Sequence, residues 1–530
     1  MTATRVDVGD GLPLTLPALL AARAVDRPDH RWVVCDDDAL TYREADTASA
    51  ALAKGLLAAG VGRGTHVGLL HPNGSEFVVR WLAAARIGAV AVPFATLSTA
   101  PELRALLDGA DVEVMLAARG YRNRDYTATL AAALDIADLS AQPLQLPAVP
   151  ALRRVVFETD YLVAAGTAID DATLAAAEAE VTPADRLVIV HTSGSTSAPK
   201  GVIHQHGPLI RHLDNLNELR EYAPDDVLFA NSAFFWIAGF AYGLIGTLLA
   251  GATLLCSNAT DPSDTLDLLE RERPTMVNGF AAAVAHLAEH PSFSSRDLSS
   301  IRRGNLWPIL PPDIRPADPG LRHNMFGMSE TGSVCLACPD ETDQPEHRRG
   351  SCGRPVPGLD AKVVDPETGV ERATGEVGEL WFRGPFLMEG YYGRERHDTF
   401  TPDGWFRTGD LFHVDDEGFF YFVGRRGDMI KTAGANVSPR EVEAAIAAET
   451  GLTAHVVGLD DAERGQIVAA AIRVPAGQAS PDLDQLRVAL RGRLSAYKVP
   501  RRFLALADLD VPMLSSGKLD TSALEALFDA

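Results

Sequence analysis

The stretch His191-Thr-Ser-Gly-Ser-Thr-Ser-Ala-Pro-Lys200-Gly-Val202 (HTSGSTSAPKGV) decides how the rest of this chain is read. It follows a short apolar run, LVIV at 187–190, that reads as a buried strand. Hydroxyls, one glycine, a proline and a lysine then crowd into positions 191–200. An ordinary phosphate loop reads GxxxxGK followed by Ser or Thr. Here the lysine precedes a glycine and follows a proline, so the order is wrong for that class. Hydroxyls and backbone N–H groups can still cradle an anion, with Lys200 as a point charge. A polar surface loop is the plainer alternative.

Outward from the loop, the first half alternates amphipathic helices with apolar strands. Thr41-Tyr-Arg-Glu44 reads as a capping box opening a helix that ends near Gly60. A strand at 66–70, a helix at 76–87 and a strand at 89–92, ended by Pro93, follow. This rhythm predicts a wound α/β fold with a largely parallel sheet. Gly60-Val-Gly62-Arg-Gly64 looks like half a dinucleotide fingerprint, but it follows a helix instead of a strand, and helix-ending glycines explain it. From Val227 to Thr260 there is no charged residue. That is a membrane candidate by hydropathy. Gly239, Gly243, Gly246 and Gly251 punctuate it, however, and no basic flank marks a cytoplasmic side. A buried helix to 249–250, a turn at Gly251 and a buried strand at 252–256 are expected instead.

The texture changes near Arg348. Residues 350–424 are rich in Gly, Pro and short alternating runs, such as 361–364 and 379–382, with a turn at 366–369. That predicts small antiparallel β structure. After Gly424-Arg-Arg-Gly427 the pattern returns to mixed α/β, with a helix at 439–449. The expected architecture is therefore α/β. A large N-terminal domain, 1–424, holds wound subdomains and a β-rich subdomain at about 345–424. A small α+β domain, 428–530, follows a boundary at 427.

Bulk properties narrow the function. A chain of 530 residues is too long for one core. A net charge of −23 argues against a nucleic-acid surface, so any anionic ligand must be held by local cations. Five cysteines are too few for a disulfide framework. Cys335-x-x-Cys338 has no second pair and Cys352 cannot complete a zinc site, so packing thiols are expected. The start, MTATRVDVGDGL, carries no secretory pattern, and a cytoplasmic location is expected.

Four more motifs follow the loop. They are Asn324-Met-Phe326-Gly327-Met-Ser329-Glu330-Thr331, Gly404-Trp-Phe-Arg-Thr-Gly-Asp410-Leu411, Gly424-Arg425-Arg426-Gly427-Asp-Met-Ile-Lys431 and Pro512-Met-Leu-Ser-Ser-Gly-Lys518. In this order and spacing the chain resembles the adenylate-forming superfamily of acyl-CoA synthetases, peptide-synthetase adenylation domains and firefly-type luciferases. The resemblance implies two half-reactions. A carboxylate attacks the α-phosphate of ATP and pyrophosphate leaves; the thiol of CoA then displaces AMP. Bringing a carboxylate to a polyanion makes catalysis mostly charge neutralisation and positioning.

By resemblance, Thr192, Ser193, Gly194, Ser195, Thr196 and Lys200 form the loop over the β- and γ-phosphates. Glu330 holds Mg²⁺ and Ser329 contacts the α-phosphate. Asn324, Phe326 and Gly327 lie by the adenine, and Asp410 and Arg425 bind the ribose. Lys518 reaches between carboxylate and α-phosphate. The small domain swings between half-reactions about Gly427, a position where many relatives carry Asp or Lys. Gly434 borders the pantetheine channel, and Arg426, Lys431, Lys498, Arg501 and Arg502 are candidates for the phosphates of CoA.

Several positions depart from that pattern. Ser197 stands where a second loop glycine is usual, Trp236 where a gating histidine is common, and Thr521 where an arginine often follows the last lysine. Gly304-Asn305-Leu306 replaces a run of small residues and proline beside the adenine. These departures bear on ATP use more than on thioester formation. For the acid, the uncharged run offers no partner for an ammonium group. Phe234, Phe235, Trp236, Gly239, Phe240, Phe280 and Gly304 suggest an apolar pocket, and with it a ring-bearing or medium-chain acid. Three rivals are weighed: loading a separate carrier protein, a thioester-forming half-reaction fed with preformed acyl-adenylate, and a nucleotide-binding regulatory protein without turnover, against which intact Glu330, Asp410, Arg425 and Lys518 speak. The expected partners are a carboxylic acid, ATP and CoA; no fused carrier domain is expected after Lys518, and homo-oligomer formation stays open.

Overall fold

The strand that opens the 191–202 stretch lies inside a seven-stranded sheet. In spatial order that sheet runs Gly390–Tyr391, Lys200–Gln205, Arg186–Thr192, Val90–Pro93, His66–Leu70, Val114–Ala117, Arg154–Val156. The last five are parallel neighbours. Val67, Leu69, Val92, Met115 and Val188 have no exposed surface, as strands covered on both faces require. Helices Tyr42–Ala58 and Ser75–Arg86 come where their patterns place them. Thr41 makes the full capping box, its side chain accepting from Glu44 N while the Glu44 carboxylate accepts from Thr41 N. A computed structural model describes residues 11–140, 142–192, 200–432, 435–461, 464–491, 493–494, 498–514 and 518–528 of the chain.

A second sheet of six strands holds the uncharged run. Its order is Arg303–Gly304, Met276–Asn278, Val227–Ala230, Thr253–Cys256, Arg31–Cys35, Asp38–Thr41, parallel except for the last pair. The expected buried helix, left-handed Gly251 and buried strand are all present. One feature differs: Ala238–Ile245 winds as a π-helix before Gly246–Ala250 becomes α-helical. Gly239 suits the tight entry, because a Cβ there would meet the Ala233 carbonyl oxygen at 2.2 Å. Short π-wound segments often mark functional sites. Among the described residues no helix is long and apolar enough to cross a membrane. No group of three or more His, Cys, Asp or Glu among them could hold a metal ion. Cys335 and Cys352 are buried.

The chain divides into two compact units. The first runs through residue 360 and takes up 383–404; the second takes 361–382 and 405 onward. The second unit contains the expected β meander, with Gly378–Arg383, Phe406–Val414 and Phe420–Arg425 antiparallel in turn. Lys362 Nζ lies 4.2 Å from the Trp405 ring centre and 5.2 Å from that of Trp381. The meander packs with residues after 427: Ser438 Oγ donates to the Val423 carbonyl at 2.8 Å, and Arg440 covers the Phe422 ring. A five-stranded sheet follows, built on the long antiparallel pair Ala454–Asp461 and Gly465–Val474, with Arg502–Ala507 added in parallel. Helices Pro439–Thr450 and Leu483–Arg491 bury Val442, Ile446, Leu486 and Leu490 in its core. This mixed α/β and α+β content is the expected fold class.

Candidate active site

Sheet pairing brings the two ends of the hydroxyl-rich stretch together. Thr192 and Lys200 are direct partners across antiparallel strands, and Val202 pairs in turn with Tyr391. Ser193, Gly194, Ser195, Thr196 and Ser197 lie outside the described residues. Lys200 Nζ stands 5.0 Å from the centre of the Tyr391 ring. The Tyr391 hydroxyl donates to Glu330 Oε1 at 2.7 Å. Glu330 occupies a 3₁₀ turn, Ser329–Thr331, closed by Gly332 at φ +73°. The buried Thr331 hydroxyl braces that turn against the Met328 and Ser333 carbonyls. Met388 N donates to the Glu330 carbonyl at 2.9 Å. His204 Nε2 lies 2.6 Å from the Ser329 carbonyl. Burial pushes the His204 imidazole down to about 4, so the ring is neutral and its Nε2–H is the donor. Lys200, Tyr391 and Glu330 thus meet from three distant segments. Sequence reasoning passed over Tyr391, whose only signal was Gly390-Tyr-Tyr392 before a charged run.

A cavity of about 270 Å³ opens within the first unit. Phe280 and Gly304 of the expected acyl residues line it, together with Asn324, Tyr242 from the π-helix, Arg220 and Trp307, whereas Phe234, Phe235, Trp236, Gly239 and Phe240 are not in its wall. Gly304 is required: its φ is +131°, and a Cβ would meet the Val277 carbonyl oxygen at 1.9 Å. Asn305 explains its own departure from the family pattern. Its Oδ1 accepts from Gly279 N at 3.1 Å and its Nδ2 donates to Gly279 O at 2.9 Å, clamping the turn before Phe280. The aromatic run divides its labour. Phe234 and Phe240 are fully buried and meet Phe77 and Trp81 edge to face at 5.4 and 4.8 Å. They pack the core. Trp236 is half-buried and packs edge to face on Phe235. Phe326 and Gly327 begin the strand Phe326–Met328, where a Cβ on Gly327 would meet the Ser333 carbonyl oxygen at 2.6 Å.

The second unit holds the other candidates. Asp410 is 2% exposed and accepts from Arg425 Nε at 2.9 Å. The pair sits on facing positions of antiparallel strands. Gly409, at φ +73°, turns its N–H to the buried Glu379 carboxylate at 2.9 Å. Arg426 answers Glu367 and Glu379, and Lys498 answers Glu441 at 2.6 Å, so these two of the five candidate CoA cations carry acidic neighbours here. Arg501 is exposed, and Arg502 donates to the Phe528 carbonyl at 3.1 Å. Gly427 has open space at its Cβ position and no positive φ, so a side chain is tolerated there. The Lys431 side chain and Gly434 lie outside the described residues. Lys518 is exposed; Leu514 N donates to its carbonyl at 2.7 Å, and Met513 bridges to Leu519. Thr521 opens the helix Thr521–Leu527, capped by Asp520.

Residues 20–392 match the family described as AMP-binding enzyme, and residues 441–518 match the AMP-binding enzyme C-terminal domain. The chain belongs to the AMP-binding enzyme family. Among curated relatives, a feruloyl-CoA synthase from an Amycolatopsis species is 34% identical over 491 residues, covering 91% of this chain and 92% of the relative. A mitochondrial medium-chain acyl-CoA ligase from Bos taurus is 28% identical over 95% of this chain and 86% of its own. Of solved structures, the o-succinylbenzoate CoA synthetase of Bacillus subtilis, in complex with its acyl-adenylate intermediate, superposes with a TM-score of 0.76 at 25% identity, over 96% of this chain and 97% of that one. An anthranilate CoA ligase, AuaEII, shares the fold with a TM-score of 0.79, at 23% identity over 98% of both chains. This AMP-binding enzyme is thus a member of the adenylate-forming superfamily across nearly its whole length.

Proposed function

We propose that this AMP-forming acyl-CoA ligase activates a small or medium-sized carboxylic acid with ATP and passes the acyl group to CoA. The observation that carries the reading is the convergence of Lys200, Tyr391 and Glu330 beside the two paired ends of the hydroxyl-rich stretch. A cation over the face of a phenol whose hydroxyl orients a carboxylate suits a metal–polyphosphate complex. Thr192, Lys200 and the intervening hydroxyls hold the β- and γ-phosphates. Ser329 meets the α-phosphate, and Asn324, Phe326 and Gly327 border the adenine. Asp410, a carboxyl group with two acceptor oxygens, takes the ribose hydroxyls beside Arg425.

Glu330 fits Mg²⁺, since a half-exposed carboxylate oriented by one hydrogen bond suits a hard cation that binds through one or two carboxylates and phosphate oxygens. Bound there, Mg²⁺ would neutralise phosphate charge. Lys518 neutralises charge developing between carboxylate and α-phosphate, and Gly427 serves as the hinge between half-reactions. The cavity beside Phe280 and Gly304 takes the body of the acid. An apolar or ring-bearing body suits its Leu216, Leu219, Phe280, Trp307 and Val334 wall. The named activities of the feruloyl-CoA and medium-chain acyl-CoA relatives support the same reaction and substrate scale.

The test is a panel of free acids with ATP and Mg²⁺, read by pyrophosphate exchange, then with CoA or a carrier protein, read by thioester mass. Acid-dependent exchange followed by acyl-CoA is expected. Acyl transfer to carrier alone overturns CoA as acceptor. Thioester from supplied acyl-adenylate without exchange overturns the adenylation step.

A further inference from the structure

The cavity contains a guanidinium on which the Glu341 carboxylate of the same wall acts electrostatically, but whose hydrogen-bonding fork an apolar acid would leave unfilled. Arg220, the residue that ends the helix His206–Leu219, lines the cavity and is only 8% exposed. Its guanidinium lies 5.3 Å from the centre of the Tyr242 ring, and its Nη1 donates only to the weak acceptor Met325 Sδ, at 3.0 Å. Neither Nε nor Nη2 has a hydrogen-bond partner among the described residues. Those two nitrogens form one edge of the guanidinium fork, the edge that matches a carboxylate in bidentate fashion. The Tyr242 hydroxyl is buried and likewise without a partner. Burial pushes it up to about 12, so it remains a donor.

The cavity's other cations are answered from within the protein. Arg303 meets Glu341 at 3.2 Å and Arg322 meets Asp343 at 2.5 Å, while Asp340 accepts from Thr342 and Gln344. A buried guanidinium with an unused fork is costly unless something completes it. Position along the helix indicates what that is. Leu209, near the start of the helix, abuts Gly332 beside the Glu330 turn. Arg220 lies eleven residues further on, about 16 Å along the axis. Thr192, Lys200, Ser329 and Glu330 do not line the cavity. If the cavity takes the body of the acid, the group that meets Arg220 lies at the end away from the carboxylate that reacts with ATP.

We propose that Arg220 determines specificity by binding a second carboxylate at the far end of the substrate, which makes the substrate class a dicarboxylic acid activated at one end only. This rests on the acyl-CoA ligase reading. The Nε–Nη2 edge receives the distal carboxylate and the Tyr242 hydroxyl donates to it, while the apolar walls hold the linker.

The experiment compares matched acids, hexanoate with adipate, octanoate with suberate, and benzoate with terephthalate, by kcat/KM for AMP release with ATP, Mg²⁺ and CoA. The diacid of at least one pair is expected to win by ~30-fold or more, the scale of a desolvated charge pair. In Arg220→Met the diacid-to-monoacid ratio should collapse toward one. Arg220→Lys, which keeps the charge but not the fork, should fall between, and it supplies the answer if the Met variant does not fold. Tyr242→Phe should lower the diacid ratio by several-fold. Turnover of monoacids with diacids rejected, or a diacid preference that Arg220→Lys leaves intact, overturns the proposal while sparing the ligase reading. No AMP release from any acid overturns both.

Discussion

Removing one oxygen atom tests the Lys200–Tyr391–Glu330 cluster directly. Tyr391→Phe keeps the ring beneath Lys200 and deletes only the hydroxyl that orients Glu330. A hydrogen bond to a charged group contributes about 1.5–3 kcal/mol. Tyr391 is 8% exposed but Glu330 is half-exposed, and solvent partly replaces the lost donor. The expected loss is then about 1–2 kcal/mol, or roughly 5–30-fold at 1.4 kcal/mol per decade. If Glu330 positions the metal–nucleotide complex, the loss should fall on kcat/KM for MgATP in pyrophosphate exchange. Thioester formation from supplied acyl-adenylate should change little. Tyr391→Ala also removes the cation–π contact, adding about 0.5–1 kcal/mol, a further 2–5-fold. An exchange rate for Tyr391→Phe within twofold of wild type, or equal loss in both half-reactions, would refute the reasoning.

Three further outcomes are expected. Lys518→Ala should abolish pyrophosphate exchange and spare thioester formation from acyl-adenylate, and equal loss in both assays would count against its assigned role. Gly304→Ala places a Cβ against the Val277 carbonyl oxygen at a φ of +131°. That should cost about 1–3 kcal/mol in backbone strain alone and lower Tm by several degrees, so an unchanged melting curve would contradict the geometry. Burial holds His191, His204, His206 and His212 at about 4 in the folded chain, against 6.5 when exposed. The unfolded chain therefore binds more protons between pH 6.5 and 4, and stability must fall as pH falls through that window. The bound is up to about 3 kcal/mol for each ring. Thermal melts from pH 7 to 4.5 should show a steady decline, and a flat profile would show that these rings are hydrated in solution.

The parts of the fold legible from sequence were those governed by local rules. Strands at 66–70, 89–92 and 187–190 stood out because a sheet covered on both faces needs continuous apolar runs. The Thr41 capping box and the left-handed turn at Gly251 follow from two or three neighbouring residues. The ordered motifs identified the family because each carries a fixed chemical requirement at a short spacing. The π-wound turn at Ala238–Ile245 was not legible, since an unbroken apolar run has no period that distinguishes π from α. For the same reason the aromatic run could not say which rings pack the core and which border a cavity.

Chemistry that depends on who meets whom came only from the folded chain. Tyr391 is an unremarked residue on a short edge strand until pairing with Val202 sets it between Lys200 and Glu330. Arg220 reads as one more solvated arginine after a helix, because Tyr242 and Met325, which enclose it, lie 22 and 105 residues away. Composition and spacing decide which segments become strands, helices and loops, for those choices cost or gain free energy within a few neighbouring residues. Whether a charge is hydrated or buried depends on surfaces brought together across the chain, and with it the substrate that can complete that charge.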